Sequence, residues 1–173
     1  RPVDPSPAAN PTADRVSGPD AAAFLGRYLD HRQWPQSVVD AFGLHVVRDT
    51  RGTPRVRHPY RSGGRTVWWQ DRGTGTPKWT SPTGGHRMLY ARDRADALDA
   101  PAPTGYDRPV RFVAEGPADV IALWCVAPDA AAVGIPGASG VAQWAEAFTG
   151  ADVLIATDAD DAGDRAAVEL GDA

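Results

Sequence analysis

The sequence is poor in cysteine and in lysine, and it has no long hydrophobic run. Its 173 residues contain one cysteine, Cys125, and of the 18 basic side chains only Lys78 is a lysine. A single cysteine excludes a disulfide framework and a cysteine-rich zinc site within this chain. No apolar stretch approaches the roughly 20 residues that span a bilayer, and no signal-peptide pattern is present. We therefore expect a cytoplasmic protein of one domain or two small ones, with no membrane partner.

The net charge of −4 conceals an uneven distribution of charge along the chain. Residues 1–110 hold 16 basic and 11 acidic side chains, whereas residues 111–173 hold 2 basic and 11 acidic ones. The basic excess is greatest in residues 48–92, which contain ten basic residues and two aspartates. A basic module beside an acidic one is typical of a protein that holds a polyanion together with metal ions.

The acidic part is organised around the segment Ala151–Glu169, which has the pattern strand, acidic turn, helix. The apolar run Val153–Ala156 leads into four aspartates within seven residues, namely Asp158, Asp160, Asp161 and Asp164. Carboxylates this close repel each other at neutral pH, so they need a cation or very good solvation. Oxygen-rich ligands without sulfur suit Mg²⁺ or Mn²⁺.

An upstream turn has the same design. The strand-like run Arg111–Ala114 ends at Glu115, and Asp119 opens an amphipathic helix. A further strand at Ala130–Val133 completes the order β-α-β-α-β-α, which predicts a parallel sheet. In such a sheet Glu115 and Asp158 emerge at the same edge, where ligands of open α/β sheets bind. If the two strands are neighbours, Glu115, Asp119, Asp158 and Asp160 face one another across a few ångströms.

The N-terminal part reads as a linker followed by helices and a small sheet. Residues 1–18 are rich in proline, alanine and serine and predict a disordered linker. Two helices are expected, over Ala21–Tyr28 with Asp20 as a possible N-cap, and over Gln36–Phe42. Alternating residues in His45–Asp71 predict strands of an antiparallel sheet.

Two features of this sheet suggest nucleic acid. Arg55 and Arg57 have the same parity, so we expect them on one face, where an exposed basic stripe would follow phosphates. Trp68 and Trp69 are adjacent and point to opposite faces, so at most one is core and the other is a candidate for stacking on a base. The alternative is that the arginines only solvate the surface and both tryptophans pack against the sheet.

At this point the chain resembles the catalytic domain of bacterial and phage DNA primases. The motifs E-G-P-A-D at Glu115–Asp119, G-I-P-G-A-S-G at Gly134–Gly140 and T-D-A-D-D-A-G at Thr157–Gly163 resemble a TOPRIM domain. Upstream, T-P-K-W-T-S-P at Thr76–Pro82 and R-M-L-Y-A at Arg87–Ala91 resemble the subdomain that precedes TOPRIM in primases. The resemblance covers roughly residues 45–173.

The resemblance implies a fold and a domain division. The fold class expected is α/β, or α+β overall: a basic mixed subdomain over residues 19–107, then a Rossmann-like parallel-sheet TOPRIM domain over residues 108–173. TOPRIM domains usually continue for another strand and helix, so this domain is expected to be either truncated or shortened at its C-terminal end. A zinc-binding module is expected upstream of the linker.

The resemblance also implies roles for individual residues. Glu115 is expected to act as a general acid/base or metal organiser, with Asp119, Asp158 and Asp160 as metal ligands. Lys78 and Arg72 are expected near the catalytic cleft, in contact with nucleotide or template phosphates. Arg87 stands in for a second basic residue that the family often places shortly before its L-Y pair.

These roles together predict a nucleotidyltransferase. The expected function is metal-dependent synthesis of short RNA primers on single-stranded DNA from ribonucleoside triphosphates, with Mg²⁺ or Mn²⁺. The departures of the N-terminal part favour a phage or plasmid primase–helicase, with a replicative helicase fused or separate as partner.

Several alternatives remain open at this stage. A TOPRIM nuclease and a catalytically silent nucleic-acid-binding module both fit the charge pattern, whereas a topoisomerase lacks a recognisable tyrosine setting. A calcium loop over Asp158–Glu169 is disfavoured, because Ala162 and Arg165 occupy unsuitable positions and a strand precedes the loop. Helix capping would explain one or two of the aspartates but not all four with Glu115.

Overall fold

The computed structural model describes residues 15–82, 87–98, 105–137 and 141–173. The chain divides into two compact units, residues 1–87 and 88–173. Each is an α/β arrangement around its own sheet, antiparallel in the first unit and parallel in the second, which confirms the predicted fold class. No helix among the described residues has the length and apolar character needed to cross a membrane.

The first unit is a five-stranded antiparallel sheet with two helices. Its strands follow one another in the sheet in chain order. The elements are β1 (Arg15–Val16), α1 (Pro19–Arg32), α2 (Ser37–Phe42), β2 (His45–Arg48), β3 (Pro54–Ser62), β4 (Arg65–Arg72) and β5 (Trp79–Thr80).

The sequence-based boundaries of α1 need correction. The helix begins at Pro19 rather than Ala21, and Gly18, not Asp20, is its N-cap residue. Proline is well suited to the first turn, because its fixed φ matches the helix and its missing N–H has no intrahelical acceptor there. The helix continues to Arg32 and ends where Gln33 adopts a left-handed conformation.

The predicted disordered linker over residues 1–18 is also wrong at its C-terminal end. Arg15 and Val16 form β1, which pairs antiparallel with Val47 and Val46 of β2. Backbone pairing to an open sheet edge needs no apolar periodicity, so the composition of this stretch gave no sign of it. Residues 1–14 lie outside the described part of the chain.

The second unit is a parallel three-stranded sheet, in the spatial order β7-β6-β8. The sheet contributes Val113 and Val133 to a buried hydrophobic cluster, which also includes Val141, Phe148 and Leu170. The elements are α3 (Arg92–Ala97), β6 (Val110–Ala114), α4 (Pro117–Val126), β7 (Ala132–Gly134), a 3₁₀ helix (Val141–Phe148), β8 (Asp152–Ala156) and α5 (Asp161–Gly171).

The segment after Arg87 belongs to the second unit, whereas the sequence placed the division between residues 107 and 108. Tyr90 and Gly134 exchange two backbone hydrogen bonds, of 2.8 and 3.1 Å. Gly134 is required at this contact, because a Cβ there would lie 3.0 Å from the backbone of Gly116 and 3.2 Å from Cβ of Tyr90. A backbone pairing between residues so far apart in the chain cannot be seen in a local sequence pattern.

Candidate functional site

Parallel pairing brings the two acidic turns to one edge of the second sheet. The last pair between β6 and β8 joins Ala114 to Ala156, so Glu115 and the turn at Asp158 follow the ends of neighbouring strands. Gly116 is the N-cap residue of α4, and a Cβ placed on it would lie 3.9 Å from Oδ2 of Asp119. We call Glu115, Asp119, Asp158 and Asp160 the acidic edge.

The electrostatics of Glu115 show that these carboxylates act on one another. Burial raises the pKa of Glu115, and the charges of Asp158, Asp160 and Asp119 raise it further, while a hydrogen bond from the backbone of Asp158 lowers it. Its Oε1 atom is buried and has no hydrogen-bond partner among the described residues. A carboxylate oxygen in this state is costly unless a proton or a cation satisfies it.

Asp160 has a structural role in addition to any chemical one. It is the N-cap of α5, and its Oδ1 accepts hydrogen bonds of 2.9 Å from the backbone N–H groups of Ala162 and Gly163. Gly163 is needed in this turn because a Cβ there would clash with the carbonyl oxygen of Asp158. Asp161 and Asp164, which are not among the expected metal ligands, are exposed in the first turn of α5.

The side-chain oxygens of the acidic edge are ligands of the kind that bind Mg²⁺ or Mn²⁺. The acidic edge supplies carboxylate oxygens only, and the buried Oε1 of Glu115 is an acceptor that a cation would satisfy. Within the described residues, however, no three Asp, Glu, His or Cys side chains already stand in a metal-binding arrangement. The assignment of these four carboxylates as a ligand set therefore stays a prediction.

The structure contradicts the exposed basic stripe expected for Arg55 and Arg57. Both side chains are buried, with 6% and 3% of their residue surface exposed. Arg57 donates two hydrogen bonds to Asp71, of 2.7 and 2.8 Å, and Arg55 donates one of 3.0 Å to Asp49. The two residues do share one face, as their parity predicted, but partners on neighbouring strands and turns neutralise them there.

The tryptophan pair divides between core and surface. Trp68 is buried at 3% exposure and packs edge-on against Tyr60, with ring centroids 4.5 Å apart. Trp69 is half-buried, and the guanidinium of Arg57 lies 4.4 Å from its ring centroid. One face of Trp69 is therefore covered by a cation already held by Asp71, which accounts for part of its packing.

Arg72, Lys78 and Arg87 occupy positions different from those of Arg55 and Arg57. Arg72 of β4 pairs with Val56 of β3, and its neighbour Asp71 pairs with Arg57. Because adjacent residues of a strand point to opposite faces, Arg72 and Arg57 lie on opposite faces of the sheet. The guanidinium of Arg72 lies 5.1 Å from the ring of Trp79. Lys78 and Arg87 are exposed.

Sequence reasoning missed Arg32, at the end of α1. Its guanidinium carbon lies 5.9 Å from the ring of Tyr28 and 5.6 Å from that of Trp34. Its Nε atom is buried and finds no hydrogen-bond acceptor in the part of the chain that the structure describes. The spacing Tyr28-x-x-x-Arg32, one helical turn, was the only local sign of this stacking.

Arg32 and Arg72 act on each other electrostatically. Burial lowers the pKa of Arg72, and the charge of Arg32 lowers it further. Both arginines also act on Tyr28, whose hydroxyl is 3.1 Å from Nε2 of His58, and burial lowers the pKa of His58 to about 3. Two guanidiniums whose charges act on the same tyrosine, each beside an aromatic ring, favour an anionic ligand. We call Arg32, Arg72 and their aromatic partners Tyr28, Trp34 and Trp79 the arginine–aromatic site.

Comparison with known protein families finds a match in the second unit. A family profile described as Toprim-like matches residues 112–173, which contain the acidic edge. No curated protein sequence matches the chain. The likeness to Toprim-like domains therefore covers most of the second unit.

Solved structures extend the likeness to both units. The DnaG catalytic core superposes with a TM-score of 0.69 at 24% identity, over 88% of this chain and 60% of that one. A DnaG primase catalytic domain bound to ssDNA gives 0.65 at 25%, over 87% and 60%. The primase fragment of the bacteriophage T7 primase–helicase gives 0.66 at 17%, over 96% and 69%. The chain therefore has the fold of bacterial and phage primase catalytic cores, and it spans 60% of the length of these two DnaG chains.

Proposed function

We propose that this chain is the catalytic part of a DNA primase, which joins ribonucleotides into short RNA primers on single-stranded DNA. The observation that carries the proposal is the acidic edge, which lies at the carboxyl ends of β6 and β8 in a chain with the fold of primase cores. The arginine–aromatic site of the first unit adds a second element, since its guanidiniums suit the phosphates of a polyanion.

The residues of the acidic edge would divide the work of nucleotidyl transfer. Glu115, Asp119, Asp158 and Asp160 would together hold Mg²⁺ or Mn²⁺. Asp160 would do so through its Oδ2 atom, because its Oδ1 atom caps α5. When bound, the ion neutralises triphosphate charge and favours ionisation of the attacking 3′-hydroxyl. The raised pKa of Glu115 would favour a role for this carboxylate in proton transfer.

The first unit would bind phosphates of its own accord. Arg32 and Arg72 would bind them through their guanidiniums, and Lys78, on an exposed loop, would contact nucleotide or template phosphates. A helicase, fused or separate, is the partner we propose, because one structural relative is the primase fragment of a primase–helicase.

The test is incorporation of labelled ribonucleotides on single-stranded DNA without a primer, with Mg²⁺ and separately with Mn²⁺. We expect short RNA products from the wild-type chain and none from Asp158→Asn. Asp161→Asn is the matched control, because Asp161 is an exposed neighbour of Asp160 and is not among the expected metal ligands. Equal products from both variants would contradict the assignment of Asp158.

Two other results would replace the proposal. Degradation of the template that Asp158→Asn abolishes would identify a nuclease. DNA binding without either activity, insensitive to chelation of divalent metal, would identify a binding module. The full-length parent protein should be assayed in parallel, so that activity supplied by flanking regions is included.

A further inference from the structure

Arg55 is placed to hold the loop between β4 and β5, residues 73–78, which we call the Lys78 loop. Its side chain is buried, and its guanidinium reaches two separate parts of the first unit. Nε lies 3.0 Å from Oδ2 of Asp49, in the turn between β2 and β3, and Nη1 lies 3.2 Å from the carbonyl oxygen of Pro77. Pro77 immediately precedes Lys78.

Both ends of this bridge are themselves ordered. Oδ1 of Asp49 accepts hydrogen bonds of 2.9 Å from the backbone N–H groups of Arg51 and Thr53, which fixes the turn. The hydrogen bond from Arg55, followed by that from Thr53, lowers the pKa of Asp49. The carboxylate is therefore charged at neutral pH and well placed to orient the guanidinium.

The loop end of the bridge is equally specific. The N–H of Gly73 donates a 2.8 Å hydrogen bond to the carbonyl of Lys78, which closes the loop after β4. A Cβ on Gly73 would lie 2.8 Å from Nη1 of Arg55, so the absence of a side chain there admits the guanidinium. Arg55 thus lies against both the start and the end of the loop.

We infer that Arg55 is a positioning residue, which fixes the Lys78 loop against the turn at Asp49 and so presents the Lys78 ammonium to a triphosphate. This role replaces the direct phosphate contact predicted for Arg55 from its parity. The presentation of Lys78 to a nucleotide rests on the proposed function, whereas the restraint of the loop does not.

The single lysine of the chain makes the restraint measurable. An endoproteinase specific for lysine can cut this sequence only after Lys78, so its cutting rate reports how often the loop opens. Removing a charge-assisted hydrogen bond to the Pro77 carbonyl should raise the open population, and we expect Arg55→Met to be cut about tenfold faster than wild type.

Arg48→Met is the matched control. Arg48 is exposed and donates a 2.6 Å hydrogen bond to the carbonyl of Gly52, so this bond stays within the same turn and does not reach the Lys78 loop. Its cutting rate should equal that of wild type. The increase for Arg55→Met should persist unchanged in low urea, because local opening exposes little surface. A wild-type rate for Arg55→Met, or a rate that follows global unfolding, would overturn the inference.

Kinetics separate the restraint from its use in nucleotide binding. If Arg55 acts through Lys78, Arg55→Met and Lys78→Met should each raise the KM for ribonucleotides with little change in kcat, and the double variant should be no worse than Lys78→Met alone. Additive effects would refute action through Lys78. If no ribonucleotide is incorporated by the wild type, the proposed function fails, and the proteolysis result still decides the restraint.

Discussion

Asp160 offers a way to separate the stability of the acidic edge from its chemistry. One of its oxygens caps α5 through hydrogen bonds to Ala162 and Gly163, while the carboxylate charge acts on Glu115. Serine is also a favourable N-cap residue, because its hydroxyl oxygen accepts the same kind of backbone hydrogen bond, but it brings no charge. Asp160→Ser should therefore keep the helix start and lose the cation ligand.

The expected stability changes follow from the cap alone. Asp160→Ala removes both capping hydrogen bonds and should lower the free energy of unfolding by about 1 kcal/mol. For a chain of this size that corresponds to a fall in Tm of about 2–4 °C. Asp160→Ser should remain close to wild type, within about 0.5 kcal/mol, because the cap is replaced and the lost charge near the helix N-terminus is a small contribution.

Thermal unfolding and ribonucleotide incorporation should be measured on the same preparations of both variants. We expect Asp160→Ser to unfold like wild type and to be inactive, whereas Asp160→Ala should be both less stable and inactive. If Asp160→Ser retained wild-type incorporation, Asp160 would only cap α5, and the reasoning that makes it a ligand would be refuted.

Further predictions concern other charged groups. The raised pKa of Glu115 means that its ionisation opposes folding as pH rises through the folded-state pKa; Glu115→Gln should therefore be at least as stable as wild type at pH 7, with the difference vanishing in acid, by urea unfolding across pH. Asp71→Asn leaves the buried guanidinium of Arg57 without a counter-charge, so it should lower the free energy of unfolding in urea by about 3–5 kcal/mol. Arg32→Gln and Arg72→Gln should each weaken binding of single-stranded DNA in the absence of metal and reduce the salt slope by about 0.7 for each phosphate that is no longer neutralised. Arg51→Gln, which alters an exposed turn arginine, should leave that slope unchanged. Fluorescence titration of single-stranded DNA at several salt concentrations measures the slope for all three variants.

The second unit was largely predictable because its signals are local. Short apolar runs followed by acidic turns and amphipathic helices specify parallel strands, and parallel pairing brings Glu115 and Asp158 to one edge. What remained hidden was the position of each carboxylate oxygen. The capping role of Asp160 depends on turn geometry, and the sequence offered capping only as an alternative.

The first unit was harder to read because its arginines find their partners through pairing between strands and turns. Parity placed Arg55 and Arg57 on one face correctly, but it did not reveal that Asp71, on the neighbouring strand, would pair with Arg57 in the interior. Arg32 meets Tyr28 and Trp34 locally, but its charge acts on Arg72 only through the tertiary fold. Charge counts describe a segment, whereas burial depends on which segment lies opposite.

The central claim is that the acidic edge holds a divalent cation, and binding of Mn²⁺ tests it without requiring activity. Free Mn²⁺ is measured by its paramagnetic resonance signal during titration with wild type, Glu115→Gln, Asp158→Asn and Asp161→Asn. The account predicts binding by wild type and Asp161→Asn, and its loss in Glu115→Gln and Asp158→Asn. Equal binding by all four chains, or binding abolished only in Asp161→Asn, would contradict it.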